Sequence, residues 1–366
     1  MQDQLFQDAA SGVDRARATG RSCVAAILAV YVASRLILLA VLVDIFGAHR
    51  ALIKIASIWD GRYYLQIAAH GYPSSITHNS VAALFPLYPA LVRVAAPLFG
   101  YDWAVAGTAV SLLTGAAACV AVGALVRNRA GDEAGVRAGR LVALAPGAFF
   151  LSIPYPEGLA VALCAGTLLM LDRRRWLAAG LLGAFATAAS SLALPIVGAA
   201  AWAAWRADSR RAWTAPLLAA SGFAAFCLYL WVRLGTPFGW FDAERSGWGR
   251  HRVDLWSPVR WFMTWSGITV METLCVAAAI AGLWAMHKAR VPGTWWAFTV
   301  PLLASVIFDS QLTLRPRFLL GAVPITAAAA IVVRGRGARA LVLASGIGMV
   351  LTVVAYLAWP GFSYQP

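Results

Sequence analysis

The sequence predicts an all-α, polytopic transmembrane protein, and three observations carry that expectation. Apolar residues make up 61% of the 366 positions and charged residues only 13%, with a mean hydropathy of +0.71; a soluble core with its polar surface is not built from that balance. The apolar residues fall in runs long enough to cross the hydrocarbon layer. The basic residues, which set a formal net charge of +14, fall in short clusters between those runs, where topology rules place them. Nucleic-acid binding is therefore the weaker account of the charge. Cys23, Cys119, Cys164, Cys227 and Cys275 stand singly in apolar stretches, without disulfide or metal-ligand spacing, and read as small packing residues.

Each element follows in chain order. The polar N-terminus through Arg21 leads into an apolar run that lacks a small-residue cleavage site, so 22–43 is read as a retained first span. Arg35 inside it needs an internal partner or a water-filled cavity. A long loop region, 44–102, comes next, with 81–100 as a juxtamembrane or re-entrant element. Residues 103–126 span, and the basic segment RNRAGDEAGVRAGR at 127–140 is read as a loop. Residues 141–171 are interrupted by SIPYPEG at 152–158 and read as two short helices meeting at a broken apex. Residues 176–205 repeat the idea, with a break near Ser190, Ser191 and Pro195. A span at 213–232 leads to a second polar loop, 233–260, and further spans follow at 261–286, 294–309, 317–333 and 340–358.

Placing every short basic cluster on the cytoplasmic side gives about eleven spans, with the N-terminus inside and the C-terminus outside. The first loop, the 152–158 apex, the Ser190 break, the second loop and DSQLTLRPR at 309–317 then converge on the outer face. Irregular backbone at membrane depth is tolerated where it is buried in protein or lines a wet cavity. A single integral-membrane domain, 1–366, with an outward-facing polar cavity is the expectation.

The longest run away from the termini that is neither a membrane span nor a basic loop is Ser57–Pro89, SIWDGRYYLQIAAHGYPSSITHNSVAALFPLYP, which collects Asp60, Arg62, Tyr63, Tyr64, Gln66, His70, Tyr72, His78 and Tyr88. Asp60 has two readings: a cap for a helix that runs to His70 and ends at Gly71, or a carboxylate that takes a proton. Arg62 and His70 on that helix either orient substrate or anchor it at the interface, while Tyr63 and Tyr64 read as headgroup-level anchors. Glu157, an acid in an otherwise apolar apex, is a functional candidate by default, with Tyr155 beside it. Arg315 and Arg317 suit bidentate contact with a lipid phosphate, unless they anchor the helix or pair with Asp309. In the second loop, Asp242, Glu244 and Asp254 alternate with Arg245, Trp248, Arg250, His251 and Arg252; the segment is either an acceptor-binding lid or a solvated loop with an aromatic belt.

No metal site is expected, because Asp60, His70 and His78 lack a spacing that fixes coordination geometry. No Asp-x-Asp pair or glycine-rich nucleotide cradle is present, so no tightly bound cofactor is expected, and a lipid-linked donor is favoured over a sugar nucleotide.

WDGRYYLQIAAHGYP followed by ALFPLYPALVR resembles the first-loop signature of the PIG-V-like family, typified by the second mannosyltransferase of GPI-anchor assembly, within the GT-C superfamily of membrane glycosyltransferases. The resemblance is strongest over 57–93, continues through FFLSIPYPEG at 149–158 and returns in RPRFLLGAVP at 315–324. One departure is visible: ATAASSLALP at 186–195 stands where the family leads one to expect an arginine.

The resemblance implies transfer of mannose from a polyprenyl-phosphate-mannose donor to an acceptor hydroxyl of a glycolipid, polysaccharide or protein. The reaction would run with inversion on the outer side of the cytoplasmic membrane. Asp60 would be the general base, Arg317 and then Arg315 would bind the donor phosphate, and Trp59, Arg62, His70, Tyr88, Tyr155 and Glu157 would contact substrate. The alternatives are a lipid-linked sugar transporter or flippase, or an inactive family member acting as an assembly subunit; against the transporter, the sequence shows no inverted repeat.

Overall fold

A computed structural model describes residues 2–47, 56, 58–76, 80–247, 256, 267–309 and 314–358. Among these the regular structure is helical and no strand forms. The helices are α1 (Gln2–Phe46), α2 (Gly61–His70), α3 (Leu87–Ala95), α4 (Trp103–Leu144), α5 (Glu157–Asp172), α6 (Trp176–Ala189) and α7 (Pro195–Arg206). They continue with α8 (Thr214–Leu234), α9 (Gly267–Lys288), α10 (Gly293–Ile307), α11 (Pro316–Gly321), α12 (Val323–Val332) and α13 (Gly335–Ala358).

Five described segments are long and apolar enough to cross a membrane on their own: Gly20–Phe46, Trp103–Leu144, Arg210–Leu234, Val270–Lys288 and Gly335–Leu357. Leu87–Phe99, Trp176–Ala189, Gly293–Ile307 and Val323–Val332 are shorter apolar helices. Helix length alone therefore gives fewer crossings than the charge pattern does, because several segments are broken into short pieces.

The clearest difference from the sequence reading is at 127–140, which is helical rather than a loop. Helix α4 reverses at Gly131 (φ 83°, ψ 178°), a left-handed φ that glycine adopts without steric cost. Beyond the turn, 132–144 lies back along 103–130, bringing Gly135 against Gly123 and Gly139 against the Cys119 carbonyl. Ala, Arg and Glu favour helix on both sides. The tip is tied by Arg127–Asp132 at 3.5 Å and Arg137–Glu133 at 3.1 Å, and Arg129 reaches Asp172 at the end of α5 at 2.9 Å.

Small residues set the other seams. Gly222 of α8 lies against the Ala184 carbonyl of α6, with no room for a Cβ, and the Thr187 hydroxyl of α6 donates to the Ala219 carbonyl of α8 at 2.7 Å. Close backbone approach of this kind is how helices associate without a hydrophobic drive between them.

The breaks follow the prolines. Pro195 and Pro316 open α7 and α11, where the missing N–H has no helical partner in any case. The chain between α4 and α5 turns through Pro146–Leu151 and the Pro154–Pro156 corner. Arg35 of α1 stabilises this corner: its guanidinium donates to the Ala143 carbonyl at 2.8 Å, the Ala148 carbonyl at 2.5 Å and the Ser152 hydroxyl at 2.7 Å. The arginine that needed an internal partner thus uses orphan carbonyls of a helix end.

Candidate active site

The site is built where α2, the Pro154–Glu157 corner, the Ser190–Ala193 break and the start of α11 meet. Asp60 stands at the N-cap of α2 but in helical geometry (φ −71°, ψ −14°), and its side chain makes no capping bond. Its Oδ2 lies 3.5 Å from Nη1 of Arg317 instead. Of the two readings open in the sequence, the cap is not what the side chain does. Arg317 is 7% exposed, and the same Nη1 lies 4.0 Å from Oε1 of Glu157. A buried guanidinium thus faces two carboxylates, each of which would carry a heavy desolvation cost without it.

Aromatic rings hold this group in place. The Arg317 guanidinium packs on Phe318 at 4.5 Å and on Phe150 and Tyr155 at 5.8 Å. The backbone N–H of Asp60 donates to the Tyr155 hydroxyl oxygen at 2.8 Å, so Tyr155 fixes the main chain that carries the carboxylate. Burial, ahead of the repulsion from neighbouring carboxylates, pushes the Tyr155 and Tyr64 hydroxyls well above their ordinary values; both stay neutral. Trp59 precedes Asp60 in the left-handed region (φ 51°), a conformation that a bulky residue adopts only when its surroundings compel it. Its ring stacks on Phe150 at 5.8 Å and meets Tyr356 of α13 edge-on at 5.3 Å.

Arg315 is also buried, 5% exposed, and interacts electrostatically with Tyr356, Arg317 and Glu272 of α9. Glu272 is 5% exposed in the middle of an apolar helix. It was not singled out from the sequence, although an acid alone in VMETLCVAAA carries the same intramembrane signal as Glu157. Phe150 and Tyr356 were missed as well; nothing distinguishes an aromatic in the wall of a site from one in a core.

Other sequence candidates lie elsewhere. Arg62 is exposed and folds over its neighbour Tyr63, with the guanidinium donating to the Tyr63 hydroxyl at 2.8 Å. His70 is exposed at the far end of α2. Neither is brought to the Asp60 group. Tyr88 is fully buried, donates to the Gly107 carbonyl at 2.9 Å and meets the Ser111 hydroxyl at 2.7 Å, which makes it a bolt between α3 and α4. It reaches the site through Tyr64, whose ring lies 5.5 Å from it and 5.9 Å from Tyr155, and through Ser111, whose hydroxyl accepts from the Tyr155 N–H at 3.3 Å.

The opening of the second polar loop docks on the first: Arg233 donates to the Tyr72 carbonyl and Trp240 to the Ala83 carbonyl at 3.1 Å. His78, Trp248, Arg250, His251, Arg252 and Asp254 lie outside the described residues. Among the described residues no group of three or more His, Cys, Asp or Glu side chains could hold a metal ion; Arg317 occupies the place between Asp60 and Glu157 that a cation would take.

Beyond Arg317 lies a small cavity between α5, the Ser190–Ala193 break and α11, with Glu157, Arg317, Ala160, Cys164, Ser190 and Gly321 on its walls. The corner, the break and the α11 start, expected to converge, do meet here. The arrangement can hold an anion near the arginines, accept a proton at Asp60 and seat a polar group against Glu157.

No protein-family model matches the sequence, and no curated protein sequence matches it significantly. The PIG-V-like resemblance is thus carried by the quoted motifs alone. Solved structures do match. ArnT from Cupriavidus metallidurans, in the apo state, aligns over 93% of this chain with 19% identity and a TM-score of 0.56. The Archaeoglobus fulgidus oligosaccharyltransferase, also in its apo form, aligns over 92% with 13% identity and a TM-score of 0.50. This chain spans 65% of the first and 55% of the second. Both neighbours are GT-C membrane glycosyltransferases, and the fold described above is of that type.

Proposed function

We propose that this protein is a membrane glycosyltransferase. In this reading it transfers a sugar, mannose by the motif resemblance, from a polyprenyl-phosphate carrier to an acceptor hydroxyl. The observation that carries the proposal is the Asp60 carboxylate, left uncapped at the start of α2 and set against the buried Arg317 in a GT-C-type fold. The acceptor oxygen attacks the anomeric carbon and its proton passes to Asp60. The carbon–oxygen bond to phosphate breaks, and polyprenyl phosphate leaves as an anion that needs no proton. Arg317 and Arg315 offset the charge that develops there. Attack opposite the leaving group inverts the anomeric centre, as a base on the opposite face does in inverting glycosidases.

Helix α5 supports an outward-facing site on the cytoplasmic membrane. It begins at Glu157 in the site and ends at Asp172, bonded to Arg129 of the basic α4 hairpin, about 24 Å away along the axis. Placing the Arg-rich end in the cytoplasm by the positive-inside rule puts the site at the outer leaflet.

The test is transfer of radiolabelled mannose from synthetic polyprenyl-phosphate-mannose to membrane lipids in nanodiscs. Wild type is expected to transfer, and a folded Asp60→Asn variant to lose at least a hundredfold in rate, the scale of general-base catalysis. Equal transfer by both would remove Asp60 from the mechanism.

A further inference from the structure

Two buried atoms beside the cavity lack hydrogen-bond partners: Oε2 of Glu157, an acceptor, and Nε of Arg317, a donor. Both residues are more than nine-tenths buried and line the cavity. Orphaned polar atoms inside a protein each cost free energy, and a pair of opposite character around one cavity calls for a group that both donates and accepts. An anion only accepts and an ammonium only donates, so neither satisfies both atoms. A hydroxyl does. The remaining walls are mostly apolar, Val161, Cys164, Leu192 and Ala193 among them, with Ser190 as the other polar side chain, and they leave room for one hydroxyl-sized group rather than a chain.

We infer that this cavity is a hydroxyl-reading subsite for a sugar ring, in which Glu157 accepts from a ring hydroxyl and Arg317 donates to it. The inference rests on the glycosyltransferase reading and adds to it what distinguishes a glycosylated carrier from a bare one. Arg317 then has a task beyond the leaving phosphate, with Nη1 turned to the carboxylates and Nε to the sugar. Glu157 reads the substrate, while Asp60 takes the proton. Gly321 is part of the specificity: a Cβ built there meets only Leu192 Cδ1, at 3.8 Å, so alanine narrows the cavity without forcing a clash.

The experiment measures binding in nanodiscs of bare polyprenyl phosphate, polyprenyl-phosphate-mannose and a neutral glucosyl-diacylglycerol to wild type, Glu157→Gln and Gly321→Ala. Wild type is expected to prefer the mannosylated to the bare carrier by tenfold or more, on the scale of a hydrogen bond to a charged group. Both variants are expected to erase that ratio, and Gly321→Ala, whose added methyl meets only Leu192, to bind the bare carrier within about twofold of wild type. A retained ratio with weakened binding of the glycolipid would assign the same subsite to the acceptor's sugar.

Equal ratios in all three proteins, with glycolipid binding unchanged, would overturn the subsite and leave the carrier-binding reading intact. A parallel loss for all ligands in Glu157→Gln, with Gly321→Ala unaffected, would reduce Glu157 to a structural partner of Arg317 and also overturn it. Wild type that binds none of the three lipids would overturn the glycosyltransferase reading and the subsite together.

Discussion

Replacing Arg317 with methionine removes the cation between Asp60 and Glu157 and keeps most of the side-chain volume. At separations of 3.5 and 4.0 Å, each ion pair contributes about 4–5 kcal/mol of attraction at an effective dielectric near 20. Desolvation offsets part of this, and breaking a buried pair by removing one partner costs about 3–5 kcal/mol because it leaves uncompensated charge behind. The Arg317→Met protein is therefore expected to melt on the order of 4–6 °C lower.

The measurement is thermal unfolding followed by fluorescence-detected size exclusion in nanodiscs or detergent. The triple variant Arg317→Met/Asp60→Asn/Glu157→Gln, which neutralises the carboxylates as well, is expected to recover most of that loss. A single variant as stable as wild type would mean that the two acids do not depend on Arg317. A triple variant no better than the single would show that the loss comes from packing on Phe150, Tyr155 and Phe318 rather than from charge.

Three further outcomes follow from the same geometry. Arg62→Ala and His70→Ala, both exposed and away from the Asp60 group, are expected to change transfer by less than about twofold in the radiolabel assay, within the usual range for surface substitutions. Arg35→Leu removes donors from the Ala143 and Ala148 carbonyls and from Ser152; the loss of a charged hydrogen-bond network is expected to cost about 3 kcal/mol or more, read as a lower melting temperature. Gly222→Val forces a side chain into the Ala184 carbonyl and is expected to separate α6 from α8, a strained contact costing several kcal/mol, which lowers the yield of folded protein in detergent extracts.

Much of the fold was legible because charge is costly in an apolar chain. The breaks at 152–158 and near Ser190 announced themselves through Pro, Ser and Glu in hydrophobic runs, and the structure brings them to one cavity. The same logic exposed Asp60, Glu157 and Arg317 as candidates, since each is an ionisable group with no apolar justification. Sequence could not say which of these groups meet, because contacts over 160 and 257 residues of separation leave no local pattern.

Arg62 and His70 could be read as orienting substrate or anchoring the helix at the interface, and the helix presents both to the outside. Tyr88 was expected to contact substrate by the motif resemblance, and no local feature of LFPLYP tells a tyrosine that faces a cavity from one that donates to the Gly107 carbonyl. The hairpin at Gly131 was hidden for a different reason. A basic, glycine-containing segment reads as a loop until the helix propensity of its Ala and Arg residues is set beside the single turn that Gly131 provides.

Arg317 also bears on biogenesis. A ribosome delivers this chain from its N-terminus, so Asp60 and Glu157 enter the translocon and the lipid long before residue 317 is made. During that interval the nascent protein holds two acids whose cation has yet to be synthesised. They stay solvated at the interface until α11 arrives, because bare carboxylates in hydrocarbon are costly. Insertion of the last helices therefore completes the charge balance of the site, and a chain truncated before Arg317 exposes to the quality-control machinery of the membrane the same pair of acids that the finished protein conceals.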